Sequence, residues 1–423
     1  MLDFNEIRRD PERVRRGLLA KGEVADIDWF LQLDKDFREV VTNLERLRAD
    51  QNRLSPEIGR KKRAGEDASV ELAEVAELKS KQKHLAERKT LLEEDLKKLL
   101  LRLPNLPADD VPVGQSAADN QVVATWGEPR QLEFTPKAHW DVGGDLGLLD
   151  TDRAAKLSGA GFSLLFGPLA QLERALWNYM LDLHTREHGY REVAAPYLVL
   201  GDTLEGTGQL PKFEAEMYRC RDDDLWLIPT AEVPLTNVHR REIVAEDALP
   251  IRYTAFTPCF RREAGAAGAD TRGLIRMHQF HKVELMSYTR PEDSDAELLR
   301  IRENAETILR NLGLPYRVLL LCTGDSSFAS RKTFDLEVWA PGCERWLEVS
   351  SVSTFGDFQA RRAGLRFRRA DGGKPEYLHT LNGSGLALPR VLVAILETYQ
   401  REDGSVEVPD VLRPYLGWRT ELS

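Results

Sequence analysis

The chain has little with which to cross a membrane, build a zinc finger or bind nucleic acid by bulk charge. No run of about eighteen apolar residues occurs, which excludes a membrane-spanning helix, and the start carries Arg8, Arg9, Asp10 and Glu12 where a signal peptide would be apolar. Only four cysteines are present (Cys220, Cys259, Cys322 and Cys343), with no C-x-x-C pair, so neither a structural zinc site nor a disulfide framework is expected. A net positive charge is missing too: the formal charge is −10, and attraction for phosphate must come from local patches. Together these absences point to a cytoplasmic protein that makes no use of a membrane.

What is present divides in two. At 423 residues the chain exceeds one compact core. From Phe30, apolar residues fall at Leu33, Phe37, Val40, Leu44, Leu47, Leu54 and Ile58, and with Gln51 in the remaining slot the spacing alternates three and four, a heptad seam. A polar stretch containing Arg60, Lys61, Lys62, Arg63 and Gly65 follows. A second series then runs Val75, Leu78, Leu85, Leu92, Leu96 and Leu99, interrupted by Gln82 and Lys89. Two helices joined by a short turn run antiparallel. Residues 1–110 therefore read as an N-terminal domain with a helical hairpin over about 27–102. A helix from Ile27 to Ile58 would reach roughly 45 Å, and the hairpin is expected to protrude. Pro56 removes a backbone donor at a cost of about 3 kcal/mol, so a kink or stop near Ser55 is expected. The run Leu103-Pro104-Asn105-Leu106-Pro107 ends the second helix, and a linker places the boundary near Val111.

Residues 111–423 mix helical stretches, Leu169 to His188 and Glu297 to Leu312, with short β-rich runs such as Arg317 to Leu321 and Arg345 to Val349. Tyr253 to Arg262 and Leu274 to Ser287 follow one another with no helix between them. That order favours an α+β domain with an antiparallel sheet over a βαβ arrangement. If Tyr253 to Glu263 and Leu274 to Met286 are strands flanking a glycine- and alanine-rich loop from Ala264 to Gly273, Arg261 and Glu263 share one face. Arg276, His278, Phe280, Lys282 and Glu284 share another. Such a face either meets solvent through cross-strand ion pairs or lines a cleft where a charged ligand completes the pairing. Near the other end, Asn382-Gly383-Ser384-Gly385-Leu386-Ala387 precedes a helical apolar pattern with Arg390 at its start. Glycines there would let backbone approach a ligand, or form a plain loop.

These segments resemble a known family. Phe260-Arg261-Arg262-Glu263 with Arg276-Met277-His278-Gln279-Phe280 is similar to motif 2 of class II aminoacyl-tRNA synthetases (about 253–286). Gly383-Ser384-Gly385 through Arg390 is similar to motif 3 (about 379–398), and the helix ending His188-Gly189-Tyr190 with the strand into Pro196 to motif 1 (about 169–200). Thr230-Ala231-Glu232-Val233-Pro234-Leu235-Thr236-Asn237, Gly206-Thr207-Gly208-Gln209-Leu210-Pro211-Lys212-Phe213 and His379-Thr380-Leu381-Asn382 resemble seryl-tRNA synthetase signatures, and the helical hairpin agrees. The resemblance implies an antiparallel catalytic sheet flanked by helices and preceded by a coiled-coil arm. It also implies activation of L-serine by ATP, transfer to the 3′ end of tRNA(Ser), a homodimer and Mg²⁺; whether tRNA(Sec) is charged too is left open.

Serine activation sets a carboxylate against the α-phosphate, so charge neutralisation and positioning are the main needs. By resemblance Arg261 holds the α-phosphate, Arg276 and Arg390 hold the outer phosphates, Phe280 stacks on adenine, and Glu263 contacts the nucleotide. Arg262, Val349 and Ser350 join the ATP-binding positions. Glu348 and Ser351 supply hard oxygen ligands to Mg²⁺. Thr230, Ala231, Glu232, Arg261, Glu284 and Ser384 surround serine, whose hydroxyl is discriminated because polar groups built for it are left unpaired when alanine binds. An extended Thr230-Ala231-Glu232 would point Thr230 and Glu232 the same way. The arm would grip the long variable arm of tRNA by shape and phosphate, with Arg53, Arg60, Lys61, Lys62 and Arg63 near the tip and Lys79, Lys81, Lys83, Arg88 and Lys89 on the return helix.

His184-Thr185-Arg186-Glu187-His188 fits an H-x-x-E-H zinc pattern but lacks an evident third ligand. His278 and His281, three apart on a strand, would face opposite sides. Val352, Thr354, Leu388-Pro389 and Gly161 depart from the family pattern near the site. Two rival readings remain: a relative loading an amino acid onto a carrier protein, and a coiled-coil RNA-binding protein with an inactive catalytic domain. The arm counts against the first, and intact Arg261, Glu263, Arg276, Glu284 and Arg390 against the second.

Overall fold

The computed structural model describes residues 1–264 and 272–423. The chain folds as two compact units, one of residues 2–19 and 23–103, the other of residues 104–423 with Met1 and residues 20–22. In the first, α1 (Phe4–Arg9) and α2 (Pro11–Ala20) precede α3 (Ile27–Ala64) and α4 (Ser69–Arg102). Asp26 caps α3 by accepting the Trp29 N–H, and Gly65 ends it in the left-handed conformation at φ 71°. The seam is inward-facing but only partly enclosed: Phe30, Leu33, Val40, Leu44 and Leu54 of α3 and Leu96 of α4 are buried, while Phe37, Leu47 and Ile58 of α3 and Val75, Leu78, Leu85, Leu92 and Leu99 of α4 are half-buried. Lys89 lies over the Phe37 ring, Gln82 donates to the Leu47 carbonyl and Lys61 pairs with Glu71. One number rises as the other falls, so α3 and α4 run antiparallel. A charge interrupts the apolar face at Asp34, fully buried and satisfied by Arg8 and Arg38.

Pro56 neither stops nor ends α3, which runs on to Ala64. Its ring is exposed on the solvent side, and the Ser55 hydroxyl donates to the Gln51 carbonyl at 2.8 Å in the turn that the proline disturbs. A helix already held by a long seam absorbs the lost bond.

The second unit is built on an eight-stranded sheet. Its strands are β1 (Gln121–Trp126), β2 (Arg191–Glu192), β3 (Ile251–Phe260), β4 (Gln279–Thr289), β5 (Tyr316–Leu320), β6 (Lys332–Ala340), β7 (Arg345–Gly356) and β8 (His379–Ala387). Their spatial order is β1-β5-β6-β7-β8-β4-β3-β2, and every pair is antiparallel except β2 with β3. The fold is α+β. Helices α5 (His139–Asp145), α6 (Gly167–Arg186), α7 (Glu232–Thr236), α8 (Ser294–Asn311), α9 (Phe358–Ala363) and α10 (Leu388–Thr398) surround the sheet. The main core joins Leu172, Leu176 and Met180 of α6, Ile301 and Ile308 of α8 and Val391, Leu392 and Ile395 of α10 to Val283, Leu285, Val352 and Leu381 of the sheet. No helix among the described residues is long and apolar enough to cross a membrane.

Two sequence expectations about the sheet need correction. The strands of the hairpin are shorter at the loop end than the spacing suggested: β3 stops at Phe260 and β4 begins at Gln279. Glu263 has φ 51°, which no strand accommodates, and Leu274, Ile275 and Met277 are buried by packing into the core instead of by pairing. Of the expected loop Ala264 to Gly273, residues 265–271 lie outside the described residues. The second correction concerns Gly383-Ser384-Gly385, which is strand, not loop. A Cβ on Gly383 would meet Ile301 Cγ2 at 2.5 Å and Val352 Cγ2 at 3.0 Å, and one on Gly385 would meet His184 Nε2 at 2.7 Å. These glycines let α8 and α6 approach the sheet.

Candidate active site

A cavity of about 510 Å³ opens over β4, β7 and β8. Three guanidinium groups line it: Arg261 just past β3, Arg276 just before β4, and Arg390 in the first turn of α10. Although Arg261 lies beyond the strand, its N–H still donates to the His278 carbonyl at 2.9 Å, which carries the ladder one step further. Its Nε donates to the Pro229 carbonyl at 3.3 Å, and its guanidinium lies 5.2 Å from the centre of the Phe280 ring. Arg276 Nε donates to Glu263 Oε2 at 2.6 Å. Arg390 donates from Nη1 to the Glu348 carbonyl at 2.8 Å and from Nε to the Ile275 carbonyl at 3.2 Å.

Glu348, Val349 and Ser351 line the same cavity. Strict alternation would send Glu348 and Ser351 to opposite faces. The β6–β7 register slips between Leu336↔Ser350 and Glu337↔Glu348, leaving Val349 unpaired, and this bulge turns Glu348 to the side of Ser351. Behind them Asp335, paired with Ser351 across the ladder, is partly buried, with its enclosed Oδ1 lacking any hydrogen-bond partner. Burial and the neighbouring Glu348 push its carboxyl well above the usual range, against a hydrogen bond from Ser351. Asp335, Glu348 and Ser351 offer carboxylate and hydroxyl oxygens, a donor set that suits a hard divalent ion, with Glu348 Oε2 also 3.3 Å from Arg390 Nη1.

A more enclosed polar end is formed by Thr230, Glu232, Lys282, Asn382 and Ser384. Thr230 Oγ1 donates to Glu284 Oε2 at 2.8 Å, Asn382 Nδ2 donates to Glu284 Oε1 at 3.2 Å, and Lys282 forms an ion pair with Glu284. Glu232 Oε1 accepts from Gln359 Nε2 at 2.6 Å, while Gln359 Oε1 accepts from Thr380 at 2.7 Å. Burial, then the charge of Glu284, push the Glu232 carboxyl up to about 7; Gln359, Lys282 and Arg261 only moderate the rise. Thr230 and Glu232 do meet in one place, but not through extended backbone. Thr230 sits in a turn and Glu232 opens α7, its N–H donating to Thr230 Oγ1 at 3.2 Å.

Four expected site residues do not line the cavity. Arg262 faces a separate surface recess beside Glu214 and Trp226. Ser350 is turned away by the bulge and donates to the Ser384 carbonyl at 2.7 Å. Ala231 packs into a neighbouring apolar cluster with Tyr253 and Tyr288. Glu284 is fully buried one layer behind Thr230, Lys282 and Asn382. Conversely Lys282, Asn382, Gln359 and Asp335 had not been singled out for the site. Only the first two had a sequence signal, Lys282 through its shared parity with Phe280 and Glu284, and Asn382 within the Leu381-Asn382-Gly383 run.

The histidines have other duties. His184 and His188 share one hydrogen bond, Nδ1 to Nδ1 at 3.0 Å, and burial lowers the pKa of His184 to about 3. His278 Nδ1 bonds the Arg261 carbonyl and its ring fills the space over Gly161, where a Cβ would lie 2.5 Å from Cδ2. A longer side chain at Gly161 would displace it. His281 Nδ1 pairs with Glu173 at 3.0 Å.

Comparison with known proteins matches the chain to two family descriptions: the seryl-tRNA synthetase N-terminal domain over residues 1–107, and the tRNA synthetase class II core domain (G, H, P, S and T) over residues 213–399. A serine--tRNA ligase of Syntrophotalea carbinolica is 52% identical over 423 residues, covering 100% of both chains. The solved seryl-tRNA synthetase from Pyrococcus horikoshii, complexed with ATP, superposes with a TM-score of 0.94 at 39% identity, covering 100% of this chain and 99% of that one. A cytoplasmic serine-tRNA ligase from Naegleria fowleri in complex with AMP gives 0.88 at 29% identity, covering 100% and 99% respectively.

Proposed function

The chain belongs to the seryl-tRNA synthetase family of class II, and from that premise we propose that its cavity activates L-serine with ATP and passes the seryl group to the 3′ end of tRNA(Ser). The observation that carries this reading is the division of one cavity into an arginine-rich end and a buried carboxylate end. Arg261, Arg276 and Arg390 suit a triphosphate, with Phe280 as the surface for the base. Glu232, ionised in the bound state, suits the serine ammonium, and Thr230 and Ser384 suit its hydroxyl. In the first step a serine carboxylate oxygen forms a bond to the α-phosphorus and the bond to the β-phosphate oxygen breaks, releasing pyrophosphate. Arg261, between the two ends, neutralises charge as the two anions approach. In the second, the terminal hydroxyl of tRNA attacks the seryl carbonyl and AMP leaves with the proton. Mg²⁺ would be held by Glu348 and Ser351, with Asp335 behind them, and would neutralise phosphate charge.

The arm is read as the grip on tRNA. Lys61, Lys81 and Lys89 are already ion-paired with Glu71, Glu77 and Glu93, so the exposed Lys62, Lys79, Lys83 and Arg88 are the better contacts for phosphate. A homodimer and a cytoplasmic location complete the proposal. Neither the carrier-protein ligase nor the inactive binding protein is favoured, because the family match includes the N-terminal domain and the cavity keeps its charged residues. Serine-dependent exchange of pyrophosphate into ATP tests the reading: exchange stimulated by serine and not by alanine is expected, and a protein without it would refute the assignment.

A further inference from the structure

Among the described residues one group of histidine, cysteine and carboxylate lies close enough to hold an ion: His139, Cys343 and Glu397. Its hydrogen bonds argue for another role. The Leu274 N–H donates to His139 Nε2 at 3.0 Å, so Nε2 keeps its lone pair. The proton of the neutral ring is then on Nδ1, which faces Glu397 Oε1 at 2.8 Å and cannot at the same time ligate a metal. Glu397 also accepts the backbone N–H groups of His139, Gly342 and Cys343 at 2.9, 2.9 and 3.0 Å. Burial works to raise its pKa, but bonds from His139 and Cys343 outweigh it and hold the carboxyl below its ordinary value. An ionised carboxylate thus fixes the tautomer of a fully buried imidazole.

What that imidazole holds is the chain leading into β4. Gly273 has φ 69°, and a Cβ there would lie 2.1 Å from His139 Nε2, so the backbone is pressed against the ring. The Arg272 guanidinium lies 4.8 Å from the Trp140 ring centre, beside His139 in α5. Directly after Leu274, the Ile275 carbonyl receives Arg390 Nε and Arg276 turns into the cavity.

We propose that His139, kept in its Nδ1–H form by Glu397, is a positioning residue for ATP: it fixes Gly273 to Arg276 so that Arg276 and Arg390 face the phosphates. The proposal rests on the reading of the cavity as a nucleotide site. His139→Asn retains a donor toward Glu397 and loses the acceptor for Leu274, whereas His139→Gln places an amide oxygen near the former Nε2. In pyrophosphate exchange, His139→Asn is expected to raise KM for ATP roughly tenfold through the orphaned buried N–H, with KM for serine held within about twofold, and His139→Gln to recover most of the loss. An unchanged KM for ATP, or equal rises for both substrates, would overturn it. Wild-type exchange tests the cavity's function, and the variant-to-wild-type ratio tests the positioning role of His139. Independently of any variant, ¹⁵N correlation spectra of histidine-labelled wild-type protein should show His139 protonated at Nδ1 and bare at Nε2; a proton on Nε2 would refute the proposal.

Discussion

The Glu232 carboxyl offers the sharpest test of how the cavity takes its amino acid. Moving a carboxyl from its ordinary 4.5 up to about 7 means that ionisation in the folded site is unfavourable by about 3 kcal/mol relative to water. The folded chain therefore keeps a proton that the unfolded chain has lost between these two values. Stability contributed by the neutral form falls as pH rises through that window, and the full penalty stands above about pH 7. Serine's ammonium is the cation that would compensate it, so serine should bind the ionised form. Serine affinity is then expected to be near its plateau at pH 8 and to fall about tenfold between pH 8 and pH 6, a range in which free serine keeps its ammonium proton. Glu232→Gln retains an acceptor for Gln359 and removes the charge. At pH 8 this variant should resist denaturant better than wild type by up to about 3 kcal/mol, yet lose roughly a hundredfold in serine affinity with no remaining pH slope. Calorimetric titration with serine at pH 6, 7 and 8, beside urea melts at pH 5 and 8, reads both effects. A pH-independent wild-type affinity, or a Gln variant that binds serine normally, would falsify the assignment.

Other outcomes follow from the same geometry. Arg390→Ala should abolish serine-dependent exchange, a loss of about 10²-fold or more in kcat/KM, while far-ultraviolet circular dichroism stays native. Deleting Phe30 to Leu99 with a short closing turn should spare exchange and cripple serylation of tRNA; normal charging by the shortened protein would show that the arm is not the grip. Gly383→Ala should destabilise by about 1–3 kcal/mol in urea melts through overpacking against Ile301 and Val352, with KM values of the surviving folded enzyme close to wild type.

The heptad seam was legible because each arm helix repeats the same spacing over many turns, and Phe30, Leu33, Val40, Leu44 and Leu54 are buried where it places them. The motifs likewise brought Arg261, Arg276, Phe280 and Arg390 to one cavity. Their route there was less legible. A strand reading set Arg261, Glu263 and Arg276 by parity, yet all three lie outside the strands, positioned by one last ladder bond from Arg261 and by contacts with Pro229 and with each other. Parity alone would have separated Glu348 from Ser351, since a one-residue bulge at Val349 leaves no mark in the spacing. Glycines such as Gly383 read as ligand-facing because a sequence does not show which helix presses on a strand. Gln359, distant along the chain and unremarked, reaches Glu232 only through the packing of α9.

The Thr230–Glu284–Asn382 network, with Lys282 on the same carboxylate, bears on any redesign of substrate choice. Enlarging the recess for a bulkier amino acid by trimming Glu284 would leave an enclosed ammonium without its ion-pair partner, while trimming Lys282 would leave an enclosed carboxylate beside Glu232. Single-site libraries at these positions should therefore yield unfolded proteins before they yield new specificities, and useful variants will have to exchange Lys282, Glu284 and Asn382 together.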